Sequence, residues 1–326
     1  MKHRICNPIT KATLFAWLAA LALAPLATAQ RFSDWGPPVN LGPTINSKYN
    51  EQRPAISRDN LSLYFISDRP GGFGDFDIWV SHRPTVDDPW GTPQDLGPNI
   101  NTAAYESAPT FSPNGHWLFF GSNRPGGCGG FDIYASHRKD VYDDFAWEPA
   151  VNLGCQINSP QDDDGPTLFV DKEEDATLLY FTSLNRPGNI GDWDIYVSKM
   201  DEDGQFGPGV LVSELSSPFR DTRTAIRRDG LEIFITSARP GRVGPVPTLC
   251  CNLWVSTRKD PEDPWSLPVN LGPVVNSPAN DGAPALSRDG TTLYFNSTRP
   301  GGSGANDLYV TTRTRLHPLA ESDRDN

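Results

Sequence analysis

The stretch Trp35-Gly-Pro-Pro-Val-Asn-Leu-Gly42 returns along the chain at regular intervals. Copies occupy Trp90–Gly97, Trp147–Gly154 and Trp265–Gly272, and a weaker copy begins at Phe206. The starts are 55, 57, 59 and 59 residues apart. A near-constant period of this size is typical of repeat architectures, in which each repeat is one supersecondary unit. The sequence therefore predicts five copies of one unit.

Each unit has the pattern of four short antiparallel strands, named a, b, c and d in chain order. Strand a is a run such as Pro54–Ser57, and a hairpin dipeptide such as Asn114-Gly115 follows it. Strand b is a β-rich run such as Leu61–Ile66 that ends in an Arg-Pro-Gly loop, and strand c begins at a residue such as Asp77. The tryptophan segment supplies strand d. No stretch of 10–15 residues shows helical spacing of apolar positions, so the sequence predicts an all-β protein.

The order of the strands predicts how the ring closes. The chain begins with a d strand near Trp35 and ends with a, b and c, so the first and last units are each incomplete. If the first strand joins the last unit, every sheet has four strands and no edge is left open. An open β-solenoid would leave both ends incomplete. We therefore predict a five-bladed β-propeller of four-stranded antiparallel blades, closed by the N-terminal strand.

The amino-terminal segment has the pattern of a secretory signal peptide. Lys2, Arg4 and Lys11 precede an apolar run, and Ala27-Thr28-Ala29 is a small-residue cleavage site. The apolar run is shorter than the roughly 20 residues of a membrane-spanning helix. We therefore expect a signal peptide at 1–29, one propeller domain at 30–316, and a polar tail at 317–326. The mature protein is expected in the periplasm or outside the cell.

Composition restricts the possible partners. The chain of 326 residues carries 28 Lys and Arg against 40 Asp and Glu, a net charge of −12. Affinity for nucleic acid depends on basic residues that neutralise phosphates, so nucleic acid is not an expected partner. An anionic membrane surface is disfavoured for the same reason. We expect a monomer with no membrane span that meets an envelope protein or a glycan.

The cysteines suggest one disulfide. Cys128 lies in the second b–c loop and Cys155 follows the next d strand, so both belong to one face of the ring. We expect them to form a disulfide in an oxidising compartment. Cys250 and Cys251 are adjacent, and either a vicinal disulfide or two separate thiols is compatible with the sequence.

Two sets of charged residues recur at one face of the predicted ring. An acid stands just before strand a in every unit, at Glu51, Glu106, Asp163, Asp221 and Asp281. An arginine opens every b–c loop, at Arg69, Arg124, Arg186, Arg239 and Arg299. The favoured interpretation is a structural ring of ion pairs between blades. The alternative is a ligand or ion site at the channel mouth, where carboxylates could bind Ca²⁺. No other cofactor is expected.

The acids at the start of strand c have a simpler interpretation. Asp77, Asp132, Asp194 and Asp307 adjoin Gly-rich turns, and their side chains can accept backbone N–H bonds that hold those turns. We assign them a structural role in the loops.

Departures from the repeat identify the fourth unit as the most specialised. It contains a cluster of arginines, and Arg223 shares with Arg53 the position two residues after the ring acid. We expect both guanidinium groups to face the channel mouth, where they could recognise an anionic group.

The repeat resembles a known family. The run Ser287–Gly302, with Asp307-Leu-Tyr-Val310 after it, is similar to the WD-like β-propeller repeat of TolB-type bacterial exported proteins. The resemblance implies a propeller that acts through protein–protein contact. Our first functional hypothesis is therefore a non-enzymatic exported scaffold that binds a protein or an envelope glycan through its loop-rich face.

The second hypothesis is a glycoside hydrolase, because five-bladed propellers host glycosidases and such enzymes use paired carboxylates. Glu51, Glu106 and Asp163 are its candidate catalytic residues. Five equivalent acids argue against it, because catalysis requires carboxyls in unlike environments. The sequence therefore favours a protein without enzymatic activity.

Overall fold

A computed structural model describes residues 31–171, 174–244 and 251–316. The signal peptide, the polar tail and Cys250 lie outside the described residues, so the predictions about them remain predictions. The described residues contain strands, turns and loops without helix. Accordingly, this part of the chain has no helix of the length and apolarity needed to cross a membrane.

The described residues form 22 strands. In chain order they are β1 (Arg31–Phe32), β2 (Val39–Asn40), β3 (Glu51–Ile56), β4 (Ser62–Ser67), β5 (Asp77–His82), β6 (Gln94–Asp95), β7 (Glu106–Phe111), β8 (Trp117–Ser122), β9 (Asp132–His137), β10 (Val151–Asn152), β11 (Asp163–Asp171), β12 (Ala176–Leu184), β13 (Trp193–Lys199), β14 (Val210–Leu211), β15 (Asp221–Ile226), β16 (Glu232–Ser237), β17 (Asn252–Thr257), β18 (Val269–Asn270), β19 (Asp281–Leu286), β20 (Thr292–Ser297), β21 (Asp307–Thr312) and β22 (Arg315–Leu316).

These strands build five antiparallel sheets of four strands each. Blade 1 is β3–β6, blade 2 is β7–β10, blade 3 is β11–β14 and blade 4 is β15–β18. Blade 5 consists of β19, β20, β21 and β2, with Val39 opposite Val310 and Asn40 opposite Tyr309. The predicted five-bladed propeller is therefore confirmed, including its closure by the N-terminal strand.

A second contact between the chain ends has no counterpart in the repeat. Strand β1 pairs with β22, and Phe32 lies opposite Arg315. The ring of Phe32 also receives the guanidinium of Arg313, whose carbon is 3.9 Å from the ring centroid. The two ends of the described chain therefore meet outside the four-stranded blades, in addition to the closure made by β2.

The core lies between neighbouring blades. Strands b are buried on both faces, as in blade 1, where Leu63, Tyr64 and Phe65 are fully buried. Burial on both faces explains why these strands are continuously apolar rather than alternating. Blades 1 and 5 share one core cluster, in which Phe65 packs with Tyr294. The hydrophobic core thus continues across the point of ring closure.

Every innermost strand carries a bulge at the same place. The pairing of strands a and b shifts register after the second residue of strand a in all five blades. The third residue has a positive φ in each blade, at Arg53, Ala108, Gly165, Arg223 and Ala283. A bulge bends its strand and redirects the side chain there. The side chains at this third position of the five innermost strands therefore shape the channel.

The expected disulfide is present between Cys128 and Cys155, 27 residues apart. It ties the b–c loop of blade 2 to the turn after β10 of the same blade. A closed loop of this length stabilises a domain mainly by restricting the unfolded chain.

We expect the Cys128→Ser/Cys155→Ser variant to lose about 3 kcal/mol of unfolding free energy, measured by denaturant titration. The two single variants should each lose a similar amount. A double variant as stable as the natural chain would contradict this assignment.

Candidate active site in the central channel

A cavity of about 1480 Å³ occupies the central channel and extends between blades 2 and 3, where Phe119, Val151 and Phe206 line it. Its floor is formed by the five bulge residues of the innermost strands. Its wall is formed by apolar side chains further along the same strands, namely Ile56, Phe111, Leu168, Ile226 and Leu286. Its mouth is formed by the a–b turns, including residues 57–58, 112–114, 227–229 and 287–289. These turns lie on the opposite face of the ring from the d–a and b–c connections, where the sequence analysis placed the channel mouth. The cavity therefore extends from the bulges toward the a–b turn face of the ring.

The five ring acids lie inside the blades rather than in this cavity. Glu51, Glu106, Asp163, Asp221 and Asp281 are all fully buried. Each forms an ion pair with the b–c loop arginine of its own blade. The N–O distances are 2.8 Å for Arg69, 3.1 Å for Arg124, 3.4 Å for Arg186, 2.6 Å for Arg239 and 2.6 Å for Arg299. The ion pairs predicted from the sequence are thus present, but within blades and not between them.

Blade 1 shows how completely such a carboxylate is satisfied. Glu51 accepts hydrogen bonds from the backbone N–H and hydroxyl of Ser47 and from the hydroxyl of Ser67. Arg69 also donates to the carbonyl oxygen of Ile45 at 2.6 Å, in the connection that enters the blade. The pair therefore anchors both the innermost strand and the d–a connection.

Two of the ring acids have raised pKa values, but neither side chain is accessible to a ligand. Burial raises the pKa of Glu106 and of Asp163, against the opposing effect of their hydrogen bonds and arginine partners. A raised carboxyl pKa is typical of an acid catalyst. These side chains have no exposed surface, however, and the structure does not place them with Glu51 around a substrate space.

The described residues contain no group of three or more His, Cys, Asp or Glu side chains arranged to hold a metal ion. Calcium at the channel mouth therefore stays a prediction from the sequence.

The strand-c acids accept bonds from the backbone of the b–c loops. Asp307 accepts from the N–H groups of Ser303 and Gly304 at 2.6 and 3.0 Å. The loops before Asp77, Asp132 and Asp194 are held in the same way.

In most blades a side chain of strand d also donates a hydrogen bond to the residue that begins strand c. Asn40 donates to Asp307, and Asn152 donates to Asp132. In blade 1 the same position is Asp95, which has no donor to offer Asp77. Burial, and after it the charge of Asp77, raise the pKa of Asp95 to about 6, although Gly97 and Asn101 donate hydrogen bonds to it. The blade 1 carboxylates therefore repel each other where other blades have a hydrogen bond.

We expect Asp95→Asn to stabilise the protein at pH 7 by about 1 kcal/mol, a value reduced for solvent screening. The folded pKa is above the unfolded value, so ionised Asp95 opposes folding above about pH 6, and this effect disappears below about pH 4. The gain should therefore be smaller at pH 4, as measured by denaturant titration. The matched control is Asn152→Asp, which should destabilise blade 2; equal stability of all three proteins at pH 7 would contradict the assignment.

The floor of the cavity contains a polar cluster that joins four blades. Arg223 Nη2 of blade 4 lies 2.7 Å from Asp164 Oδ2 of blade 3, and Arg53 Nη1 of blade 1 lies 3.6 Å from the same oxygen. The hydroxyl of Ser107 in blade 2 lies within 2.9 Å of both carboxylate oxygens and also contacts Arg53. The two arginines thus converge on Asp164 at the cavity floor, whereas the sequence analysis expected them to face the channel mouth and did not single out Asp164.

Sequence reasoning missed Asp164 although a signal was present. The second residue of strand a is Gln52, Ser107, Thr222 or Gly282 in the other blades, so only blade 3 has an acid there. The difference is inconspicuous in the sequence because Asp164 is the last of three aspartates at 162–164, of which Asp163 is the ring acid. A comparison of the position across all five repeats would have found it.

The electrostatics of the cluster favour an ionised carboxylate. Burial would raise the pKa of Asp164, but Arg223 and Arg53 outweigh it and hold the pKa well below its usual range. Burial, followed by repulsion from Arg223, lowers the pKa of Arg53. Gly165 provides space for the cluster, because a Cβ there would lie 2.6 Å from Arg223 Nη1. Asp164 thus stays ionised between two cations.

Asp164→Asn should destabilise the fold by about 3 kcal/mol, because it leaves two partly buried guanidinium groups without their carboxylate. The loss should be much smaller in an Arg53→Met/Arg223→Met background, measured as a double-mutant cycle. The depressed pKa also means that this contribution is present above about pH 4 and is lost as the pH falls further. Equal losses in both backgrounds would contradict the coupling.

Comparison with known proteins supports the fold. No protein-family model and no curated protein matches the sequence. Among solved structures, a thermostable family-43 glycoside hydrolase has a TM-score of 0.55 at 13% identity, with coverage of 86% of this chain and 93% of that one. An α-L-arabinofuranosidase from Lactobacillus brevis also has a TM-score of 0.55, at 17% identity and 83% and 92% coverage. The Coprinopsis cinerea GH62 α-L-arabinofuranosidase catalytic domain has 0.53 at 14%, with 87% and 99% coverage.

These comparisons correct two expectations. The resemblance to TolB-type WD-like repeats is not supported, because no family model matches and the similar structures are glycoside hydrolases. The repeat motif correctly indicated the strands of a propeller, but unrelated families share that fold. The first functional hypothesis, a non-enzymatic scaffold for protein or glycan binding, is contradicted by the same finding.

Proposed function

We propose that this protein is an exported glycoside hydrolase whose substrate enters the cavity of the central channel. The observation that carries the proposal is an ionised carboxylate, Asp164, directly beneath the cavity floor of a fold shared with sugar-cleaving enzymes. The likeness to those enzymes concerns the fold, and the chemistry is argued from this chain.

Hydrolysis of a glycosidic bond ordinarily needs an ionised carboxylate and a proton donor. Asp164 meets the first requirement, because its two arginine partners keep it deprotonated. It would activate water or stabilise the positive charge that develops on the sugar ring. Arg53 lines the cavity and is the more exposed of the two arginines, with 22% of its side chain accessible. Displacement of Arg53 by a substrate would open the path to Asp164.

The cavity has two further carboxyls among its described lining residues. Asp229 accepts hydrogen bonds from Arg227, and Asp289 accepts them from Ser287 and Thr291. Both are engaged in their own turns, so the leaving group chosen for an assay should not require protonation. Dinitrophenolate meets this condition.

A disulfide bond in the described part of the chain supports export. The Cys128–Cys155 disulfide is of the kind that persists in oxidising compartments. Together with the predicted signal peptide, it fits an enzyme that meets its glycan in the periplasm or outside the cell.

The test is turnover of 2,4-dinitrophenyl glycosides of pentoses, hexoses and uronic acids, followed by release of dinitrophenolate. We expect at least one substrate to be cleaved, and Asp164→Asn to lower kcat/KM roughly 100-fold, about 2.7 kcal/mol of transition-state stabilisation. Absence of turnover across the panel would overturn the proposed function. Undiminished turnover by Asp164→Asn would remove that residue from the mechanism.

The control is Asp192→Asn, which removes an exposed acid that pairs with Arg220 outside the cavity and should leave turnover unchanged. Near-ultraviolet circular dichroism establishes that each variant is folded. If Asp164→Asn does not fold, Ser107→Ala removes a hydrogen-bond donor to the same carboxylate but keeps its charge. This variant should also lower turnover.

A further inference from the structure

Three arginines occupy the same position in the a–b turns of neighbouring blades. Arg58, Arg228 and Arg288 are each followed by Asp in the turns of blades 1, 4 and 5, and all three line the cavity mouth. Blades 4 and 5 share one hydrophobic cluster and blades 5 and 1 share another, so the three turns are consecutive around the ring. Ring closure thus brings Arg58 near residues more than 160 positions away in sequence.

The three guanidinium groups have no anionic partner in the described part of the chain. None of them forms an ion pair there, whereas most other arginines do. The adjacent aspartates are occupied: Asp59 accepts from Ser57 and Leu61, and Asp229 accepts from Arg227. Burial, followed by the charges of Arg228 and Arg58, lowers the pKa of Arg288. The mouth therefore holds mutually repelling cations.

The floor of the cavity also carries excess positive charge. Arg53 and Arg223 share the single carboxylate of Asp164. Arg223 Nη1 is buried and has no acceptor in the described structure. A buried donor without a partner costs free energy, and an incoming anion would satisfy it. Both ends of the cavity therefore carry arginines that can bind an anion, although the net charge of the protein is −12.

The wall between the two ends is apolar and partly aromatic. Phe111 and Leu286 line it, and Trp117 contributes a side chain that is 43% exposed. Such surfaces suit the C–H faces of sugar rings rather than small inorganic anions. The cavity volume, which includes the space between blades 2 and 3, also exceeds that of a typical pocket for a drug-sized ligand, roughly 300–1,000 Å³. A ligand of several linked rings fits this description.

We propose that the cavity binds a short oligosaccharide bearing carboxylate or sulfate groups, one anionic group at the mouth arginines and another at the floor arginines. The sugar identity rests on the proposed function, and the requirement for anionic groups rests on the arginines alone. Carboxylate and sulfate both accept the paired N–H groups of a guanidinium, so the geometry specifies their shared chemistry.

The test is calorimetric titration of the full mature chain with four probes: trigalacturonate, a sulfated trisaccharide, neutral xylotriose and sodium sulfate. At least one anionic trisaccharide should bind roughly tenfold tighter than xylotriose, a difference of about 1.4 kcal/mol. The affinity should fall as ionic strength rises. Arg228→Gln/Arg288→Gln should abolish most of the preference for the anionic trisaccharide. The matched control is Arg220→Gln, an exposed arginine outside the cavity, which should leave it unchanged.

The outcomes separate this inference from the hydrolase proposal. Binding of an anionic trisaccharide without turnover of any glycoside would support the inference and overturn the enzymatic function. Turnover of neutral glycosides without preference for anionic probes would do the reverse. Equal affinity for xylotriose and both anionic trisaccharides would overturn the inference. So would binding of sulfate alone as tightly as the saccharides, because the sugar rings would then contribute nothing.

Discussion

In every blade a buried carboxylate at the start of the innermost strand is held by the arginine of the b–c loop, and the ring depends on this pair. Taking both charges out of water is costly, and attraction compensates only when the remaining hydrogen bonds are satisfied. Blade 1 meets this condition, because Arg69 donates to Glu51, to the hydroxyl of Ser67 and to the carbonyl of Ile45. The pair therefore fixes the strand, the loop and the connection from the preceding blade at a single point.

This use of the ring acids decides what the channel can be. The carboxylates of the ring acids are paired with arginines inside the blades. The second and third residues of each innermost strand therefore determine the charge of the cavity floor. The bulge places those residues there in all five blades, but their identities differ: Asp164 is unique to blade 3, and arginine is confined to blades 1 and 4. The symmetric residues build the scaffold, and the asymmetric ones build the site.

The fold was predictable from the sequence because the same weak strand pattern recurs in five repeats. The order of the strands also indicated closure by the Trp35 segment, because that arrangement leaves no open edge. The disulfide followed from placing Cys128 and Cys155 on one face. The site was harder to predict. Alternation of side chains along an ideal strand cannot anticipate the bulge at Arg53 and Arg223, and Asp164 was masked by its acidic neighbours. The β1–β22 pair has two residues per strand, too few to form a pattern.

The charge distribution of the ring also bears on which anions can reach the cavity. The excess of acidic residues lies outside a channel that carries three arginines without an ion pair at its mouth and two arginines that share one carboxylate at its floor. Low-dielectric walls focus the field of charges inside a cleft, whereas the field of the whole protein acts at longer range. On the proposal above, a short anionic saccharide at the mouth would lie within a Debye length of the arginines, roughly 8 Å at physiological ionic strength, and their field would dominate there. On that proposal, the same arrangement would select for a ligand small enough to enter the cavity as well as for its charge.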